Sequence, residues 1–69
     1  MKHLKIRDFV EPELEYFRNI CNFSEFEMAY FNLKAKDKSN VQIAMELNIS
    51  EPQVSKLAKR VRNKIIKVL

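Results

Sequence analysis

The sequence predicts an all-α fold: a four-helix domain that contains a tri-helical helix-turn-helix and ends in a long C-terminal helix. Glycine is absent and proline occurs twice in 69 residues, which disfavours sheet-rich folds because these need many tight turns. The pattern Ser-x-x-Glu/Gln, a signature of helix N-termini, opens three segments with helical apolar periodicity. A chain of this length forms one small domain, near the lower size limit for a self-sufficient core.

The beginning of the chain has no clear periodicity, and we treat residues 1–10 as an N-terminal arm. Leu4 and Ile6 alternate with basic residues as in a short strand, but a single strand has no partner. An arm or an early helical turn is the better interpretation. A disordered basic tail is favoured over an arm that lies on DNA phosphates. In such an arm, the residues that would contact the phosphates are Lys2, Lys5 and Arg7.

The first helix is predicted over roughly residues 11–21. Pro12 suits the first turn of a helix, and the acidic residues around it complement the positive end of the helix dipole. An apolar stripe at helical spacing runs along this segment. It consists of Leu14, Phe17 and Cys21, and it is widened by Tyr16 and Ile20.

The other three helices each begin after a serine that is followed three residues later by Glu or Gln. In such a capping box the hydroxyl and the later side chain each accept a hydrogen bond from the other residue's backbone N–H. The three pairs are Ser24 with Glu27, Ser39 with Gln42, and Ser50 with Gln53. They predict helices from about Glu25 to Ala35, over residues 40–47, and from residue 51 onward.

The stretch at residues 39–59 has the apolar spacing of two short helices joined by a tight turn, the pattern of a helix-turn-helix. Ala44 supplies a small side chain where the two helices must approach closely. Asn48 is predicted in the left-handed conformation of the turn, and Pro52 in the first turn of the last helix. The apolar positions of this stretch are Val41, Ile43, Ala44, Leu47, Ile49, Val54 and Leu57.

Two further groups of apolar residues are assigned by their position. The aromatic cluster of the second helix is predicted to be core rather than a surface for base stacking, because so short a chain needs its aromatic rings inside; it comprises Phe23, Phe26, Tyr30 and Phe31. The inner stripe of the last helix continues through Leu57, Val61, Ile65 and Val68. Ile66 and Leu69 fall off that stripe and are candidates for a dimer contact.

Charge is divided between the two ends of the chain, whose net charge is +4. Six acidic residues and one basic residue lie between Asp8 and Glu27, whereas six basic residues and no acidic one lie between Pro52 and Leu69. This polarity fits a protein that turns its C-terminal helix toward a polyanion. A solvated basic helix face is an equally good explanation of the charge alone, and the helix-turn-helix pattern decides in favour of the polyanion.

Several functional classes are disfavoured by composition. The chain has one cysteine, Cys21, and one histidine, His3, so we expect no disulfide, no metal site and no cofactor, and a reducing, cytoplasmic setting. No apolar run approaches the roughly 20 residues of a membrane span, and the basic N-terminus lacks the apolar region of a signal peptide. No catalytic constellation or Gly-rich phosphate loop occurs. We therefore expect neither an enzyme nor a small-molecule ligand.

The segment that begins at Lys38, K-S-N-V-Q-I-A-M-E-L-N-I-S-E-P-Q-V-S-K-L, followed by K-R-V-R-N-K-I, resembles a known motif. It is similar to the helix-turn-helix of region four of sigma-70-type factors and to that of LuxR-type output domains. The core I-A-x-x-L-x-I-S-x-x-x-V marks this superfamily, and the preceding NFSEFEMAYFNLKAKDK is similar to the helix before the motif. The resemblance covers about residues 22–66. It implies a small stand-alone bacterial or phage transcriptional regulator.

The resemblance also implies a binding mode, in which the recognition helix, about residues 51–67, enters the major groove of double-stranded DNA. Side chains near its N-terminus then face base edges; the predicted base-reading residues are Gln53, Lys56, Ser55, Glu51 and Pro52. Predicted phosphate-binding residues are Ser39, Ser50, Lys59, Arg60, Arg62 and Lys64. For Gln53 and Ser50, capping alone is the competing interpretation. Glu51-Pro52-Gln53 departs from the family's usual residues, so no base preference is transferred.

The domain boundaries and partners follow from these assignments. We divide the chain into the arm, residues 1–10, and a helix-turn-helix DNA-binding domain, residues 11–69, with the motif proper at residues 39–59. A single module makes a small DNA interface, so a homodimer is expected, and RNA polymerase is a second candidate partner. The alternative function is a protein-interaction module that docks on RNA polymerase or another regulator through its acidic first helix without reading DNA.

Overall fold

The computed structural model describes residues 5–69, and helices are the only regular secondary structure in that range. A short 3₁₀ helix at Ile6–Asp8 precedes four α-helices, which are α1 (Glu11–Ile20), α2 (Glu25–Ala35), α3 (Asn40–Leu47) and α4 (Glu51–Val68). The predicted all-α, four-helix fold with a long last helix is confirmed. Within the described range, no helix combines the length and apolar character needed to cross a membrane.

The three predicted capping boxes set the starts of α2, α3 and α4. Ser24, Ser39 and Ser50 each accept a hydrogen bond from the backbone N–H three residues later. The Glu or Gln side chain at that later position accepts in return from the serine N–H, at 2.9 Å in all three cases. The predicted boundaries of these helices therefore agree with the structure because each was fixed by a local hydrogen-bonding pattern.

The turn between α3 and α4 depends on the left-handed conformation of Asn48. This residue has φ 57° and ψ 47°, and the next residue, Ile49, donates its N–H to the carbonyl of Ala44 at 3.0 Å. These are the features of a Schellman motif, in which a residue with positive φ ends the helix. Asparagine is one of the few residues besides glycine that tolerate this conformation.

Substitutions at Asn48 test the turn. We expect Asn48→Ala to lower the free energy of unfolding by about 1 kcal/mol, because alanine adopts positive φ only at a steric cost, whereas Asn48→Gly should not lower it. Urea denaturation of the variants measures both values. Asn63→Ala, an exposed position within α4, is the matched control and should change stability little. Equal stability of the alanine and glycine variants at residue 48 would contradict the role given to the turn.

The core lies between α2 and α4, which pack against each other. α3 packs against both of these helices, and the 3₁₀ helix packs against α2. The inner stripe of α4, comprising Val54, Leu57, Val61 and Ile65, is buried along its length, and Phe31 of α2 and Ile43 of α3 are fully buried against it. The predicted stripe of α1 is also buried; Leu14, Phe17 and Cys21 belong to the core. Burial raises the pKa of the Cys21 thiol, whose Sγ donates to the carbonyl of Lys64 at 3.7 Å.

Four residues that were predicted on apolar faces or in the core lie on the surface. Tyr16, Ile20 and Phe26 are each about half exposed, as is Val41. α1, α2 and α3 are short and each packs through one narrow stripe, so a side chain one or two positions away from that stripe points toward solvent. The assignment of Phe26 to the core is therefore wrong, whereas Tyr30 and Phe31 are buried and Phe23 packs against them.

Residues 5–10 are packed on the helical domain. Ile6 is buried in the core, and the ring of Phe9 lies 4.9 Å from that of Phe17. Arg7 forms an ion pair of 2.8 Å with Asp37 in the loop after α2. Of the interpretations of this segment, an early helical turn matches its structure. The predicted phosphate contact of Lys2 and the strand position of Leu4 lie outside the described residues.

Candidate nucleic-acid interface

α4 has one buried face and one exposed polar face. Its buried stripe packs into the domain, and all five predicted base-reading residues are exposed near its N-terminus; they are Glu51, Pro52, Gln53, Ser55 and Lys56. Residues three or four apart on a helix lie on the same face. Pro52, Lys56 and Lys59 therefore form a row on the exposed side. Asn63 continues this row and was missed, although its spacing from Lys56 and Lys59 would have identified it.

α3 and α4 are joined by the short turn at residues 48–50 and pack against each other, so the predicted helix-turn-helix is confirmed. Ala44, the small residue of α3, is buried, as is Val54 in the first turns of α4. The exposed N-terminal turn of α4 consequently projects from the domain with its backbone fixed by the Ser50 cap. This is the position from which a recognition helix presents its first residues to base edges.

Gln53 combines an exposed position with a structural hydrogen bond. Its Oε1 accepts from the backbone N–H of Ser50 at 2.9 Å, so the capping interpretation is correct. A bidentate contact with adenine needs the amide oxygen as acceptor and the amide nitrogen as donor. Nε2 has no hydrogen-bond partner within residues 5–69. The group that Gln53 offers without disturbing the cap is therefore a donor.

Ser39 and Ser50 sit at the N-termini of α3 and α4. The oxygen of each hydroxyl accepts from a backbone N–H, at 3.2 Å for Ser39 and 3.4 Å for Ser50, and each hydroxyl is exposed. A serine hydroxyl can donate as well as accept, and a helix N-terminus attracts anions through its free N–H groups and dipole. Ser39 is thus able to cap α3 and to donate to phosphate, whereas the Ser50 hydroxyl already donates to Oε1 of Gln53 at 3.3 Å, so a phosphate contact there would use the backbone N–H groups of the helix N-terminus.

The exposed polar face of α4 carries five basic side chains. Within the described range, none of them lies in an ion pair. They are Lys56, Lys59, Arg60, Arg62 and Lys67. A row of unpaired cations on one helix is the arrangement that attracts a phosphate backbone.

Lys64 differs from the other basic residues of α4 because it is bound within the protein. Its ammonium group donates to Oε1 of Glu27 and to the backbone carbonyl of Asn22. Glu27 is only 5% exposed and also caps α2 through the N–H of Ser24. We therefore remove Lys64 from the set of phosphate-binding residues and assign it to the fold.

The ionisation of Glu27 follows from these contacts. Burial by itself raises the pKa of this carboxyl group, but the hydrogen bonds from Lys64 and from the backbone of Ser24 outweigh burial, so the pKa lies below its ordinary value. Glu27 is therefore ionised at neutral pH and forms a buried ion pair with Lys64. This pair ties α4 to the start of α2.

The acidic residues of α1 form a separate exposed surface. Arg18 lies between two of them, at 3.0 Å from Glu11 and 3.1 Å from Glu15, and its Nε donates to Asn32 of α2 at 2.8 Å. Part of the negative charge on α1 is thus neutralised within the helix. In the part of the chain that the structure describes, no three His, Cys, Asp or Glu side chains are grouped so that they could hold a metal ion.

Comparison with known proteins gives one match. A family model described as bacterial regulatory proteins, luxR family, matches residues 22–66, which is about two thirds of the chain and includes α2, α3 and most of α4. Searches of curated proteins and of solved structures gave no match. Because the matched segment contains the complete helix-turn-helix, the chain belongs to the luxR family of bacterial regulatory proteins, whose helix-turn-helix domains bind DNA.

Proposed function

We propose that this protein is a sequence-specific transcriptional regulator that inserts α4, about residues 51–67, into the major groove of DNA. The observation that supports this most directly is the exposed face of α4, where unpaired cations follow a capped N-terminal turn. A helix of this kind, placed after a scaffold helix and a tight turn, is the recognition element of helix-turn-helix proteins. A protein whose partner is duplex DNA would act in the bacterial cytoplasm.

The base-reading residues would act through different chemical groups. Lys56 donates to O6 and N7 of guanine, Glu51 accepts from N4 of cytosine, and Pro52 contacts a thymine methyl group. Ser55 serves as donor or acceptor. Gln53 donates through Nε2 while its Oε1 keeps the cap of α4. Glu51-Pro52-Gln53, the tripeptide in which this chain departs from its family, is therefore the expected source of its sequence preference.

The phosphate-binding residues would flank the groove and fix the orientation of the domain. Arg60 and Lys59 are exposed on α4 one turn beyond the base-reading residues, and Arg62 follows them. Ser39 and Ser50 add the N-termini of α3 and α4. These contacts supply affinity for all DNA sequences, and the residues of the first turn supply the preference among them.

We further propose that the protein binds DNA as a homodimer. One small module buries about 600–1,000 Å² on DNA, which limits the affinity of a monomer. Ile66 and Leu69 lie off the inner stripe of α4, and Leu69 is 75% exposed, so they are available for a contact between two copies. RNA polymerase is the second candidate partner, since attachment to it would also compensate for a small DNA interface.

The competing function is a protein-interaction module that uses the acidic surface of α1. Glu11, Glu13 and Glu15 are exposed, but Arg18 binds two of these carboxylates. The basic face of α4 has no such internal compensation in the described part of the chain. We therefore favour DNA as the partner. Salt-sensitive binding to random duplex DNA supports this choice, and a salt-insensitive complex with a protein and none with DNA would support the alternative.

Selection from random duplex DNA with Gln53→Ala and Lys59→Ala tests the assignment. We expect Gln53→Ala to change the selected base at the position it contacts, since one good base contact contributes about 1–3 kcal/mol of discrimination. Lys59→Ala should weaken binding to all sequences alike. Light scattering on the same samples reports whether the bound species is a dimer.

Gln42→Ala is the matched control for Gln53→Ala. Gln42 caps α3 with the same geometry, accepting from Ser39 N–H at 2.9 Å, so its loss has a similar cost in stability without the base contact. The control should leave the selected sequence unchanged. If Gln53→Ala selects the same site as the wild-type protein, Gln53 does not read bases; if Gln53→Ala and Lys59→Ala both behave as wild type, α4 is not the recognition helix.

A further inference from the structure

A cavity of about 230 Å³ lies between the 3₁₀ helix, α2 and α4, away from the first turns of α4. Four basic side chains border it, namely Lys5, Arg7, Lys34 and Arg62, together with Asp37 and Tyr30. One carboxylate thus accompanies four cations. The cavity is smaller than the 300–1,000 Å³ of most drug-sized ligand sites, but it is several times larger than the volume of a water molecule.

The positive charge of the cavity is only partly compensated. Arg7 is paired with Asp37 at 2.8 Å. Lys34 donates to the carbonyl of Lys38 and to Asn40 Oδ1, at 3.3 and 3.0 Å, and both acceptors are uncharged. Neither Lys5 nor Arg62 forms an ion pair with any of residues 5–69. Gathering like charges costs free energy that a bound anion would offset.

Tyr30 adds a hydrogen-bond donor to the wall of this cavity. The residue is only 4% exposed, and its hydroxyl has no hydrogen-bond partner among residues 5–69. The side chain belongs to the wall of the cavity. A phenolic hydroxyl can donate a hydrogen bond, so Tyr30 could donate to a ligand in the cavity.

The ionisation state of Tyr30 suits a donor. Burial raises the pKa of the phenol above its ordinary value and outweighs the opposing effect of the nearby Arg62 charge. The hydroxyl therefore keeps its proton throughout the physiological range. A neutral phenol beside unpaired cations donates to an anion and does not repel it.

We propose that this cavity is a phosphate-binding site, in which Arg62, Lys5, Lys34 and Tyr30 donate hydrogen bonds to one phosphate group. The guanidinium of Arg62 matches phosphate oxygens in a bidentate geometry, and the ammonium groups add point charges from two other elements. The site goes beyond the proposed DNA reading and differs from the sequence expectation of no small ligand. The phosphate would come from a small phosphorylated ligand or from the backbone of bound DNA.

The site would connect its ligand to the recognition helix. Arg62 belongs to α4, whereas Lys5 precedes the 3₁₀ helix and Lys34 lies in the last turns of α2. A phosphate held by all three fixes the N-terminal segment and α2 against α4. Arg62 would then have a second role besides the phosphate contact predicted from the sequence.

Titration of the full chain with inorganic phosphate, followed by two-dimensional NMR at constant ionic strength in chloride, tests the proposal. We expect saturable shifts confined to amides around the cavity. Arg62→Gln should weaken phosphate binding at least about tenfold, because a charge-assisted bidentate contact is lost. Tyr30→Phe should weaken it several-fold, and this change removes no hydrogen bond within residues 5–69. Lys67→Gln, which removes an exposed cation of the same helix that belongs to neither proposed binding set, should leave it unchanged.

The outcomes separate the site from general electrostatic attraction. The proposal would be overturned if phosphate shifted the amide signals of Lys56 and Lys59 as much as those around the cavity. It would also be overturned if the Arg62→Gln and Tyr30→Phe variants bound phosphate as tightly as the wild-type protein. Both variants are checked for a folded spectrum first. In a second step duplex DNA is added. Displacement of phosphate by DNA shows that the site binds a phosphate of the DNA backbone, and simultaneous binding of both shows that it binds a small phosphorylated ligand. The phosphate titration does not depend on DNA, so its result is independent of the proposed function.

Discussion

Replacing Lys64 with alanine is expected to lower the free energy of unfolding by about 2–3 kcal/mol. The change leaves the carboxylate of Glu27 buried without its cation, and breaking a buried pair from one side typically costs about 3–5 kcal/mol. We place the value below that range because the Lys64 side chain is 35% exposed and Glu27 keeps the hydrogen bond from Ser24. Urea denaturation measures the loss, which is a large part of the stability of so small a domain.

Lys67→Ala is the matched control for Lys64→Ala. Lys67 is exposed on the same helix, in its last turn, and forms no ion pair within the described part of the chain. Its removal should change the free energy of unfolding by less than about 0.5 kcal/mol. Equal denaturation midpoints for the two variants would show that Lys64 is a surface cation and would return it to the phosphate-binding set.

The same pair predicts how stability depends on pH. The pKa of Glu27 is lower in the folded protein than its ordinary value, so the folded state binds this proton less readily than the unfolded state. The contribution of the pair is therefore present above the unfolded pKa of about 4.3 and is lost as pH falls through the folded value. Glu27→Gln retains an acceptor for Ser24 N–H but should show a shallower loss of stability below pH 5 than the wild-type protein.

Local hydrogen-bonding patterns made most of the fold predictable. The serine of each capping box and its partner three residues later determine where α2, α3 and α4 begin, and these interactions need no information from distant residues. The left-handed Asn48 was predicted for the same reason, since few other residues adopt that conformation. The apolar stripe of α4 then identified the face that is buried, because a period of 3.6 residues specifies one side of a helix.

Contacts between distant residues were not predictable in this way. Glu27 was assigned to a cap, which is correct, but its carboxylate also binds Lys64, 37 residues away. A sequence pattern shows that Lys64 is basic and near the edge of a polar face, but it does not show which carboxylate faces it. Ile6 likewise has no periodic partner in its own segment and becomes core only because α2 lies beneath it.

The candidate interface was predictable in its location more than in its chemistry. Exposed cations on α4 follow directly from the buried stripe, since the opposite face must be solvent-exposed. Oε1 of Gln53 accepts the capping hydrogen bond from the N–H of Ser50. From the sequence, capping and base reading were two alternatives for this side chain. The cavity that contains Arg62 and Tyr30 was not predicted, because its residues come from the N-terminal segment, α2 and α4.

Removing two cations from α4, with Lys59→Ala and Arg60→Ala together, should have the largest effect on DNA binding. Each lost phosphate contact is expected to reduce the slope of log K against log salt concentration by about 0.9, so the double variant should lose about 1.8. At 0.1 M salt, relative to 1 M, this corresponds to about a sixtyfold loss of affinity. Both residues are exposed and form no ion pair within residues 5–69, so the free energy of unfolding should change little.

A net-charge control separates local contacts from overall charge. Pro12→Asp with Asn19→Asp lowers the net charge by the same amount at exposed positions of α1, outside the helix-turn-helix. If overall charge attracts the DNA, both double variants lose affinity equally. If Lys59 and Arg60 bind phosphates, only their removal reduces the salt slope, while the sequence selected from random DNA stays the same. A reduced slope with an unchanged selected sequence is the combination that distinguishes phosphate contacts from base-reading residues on the same helix.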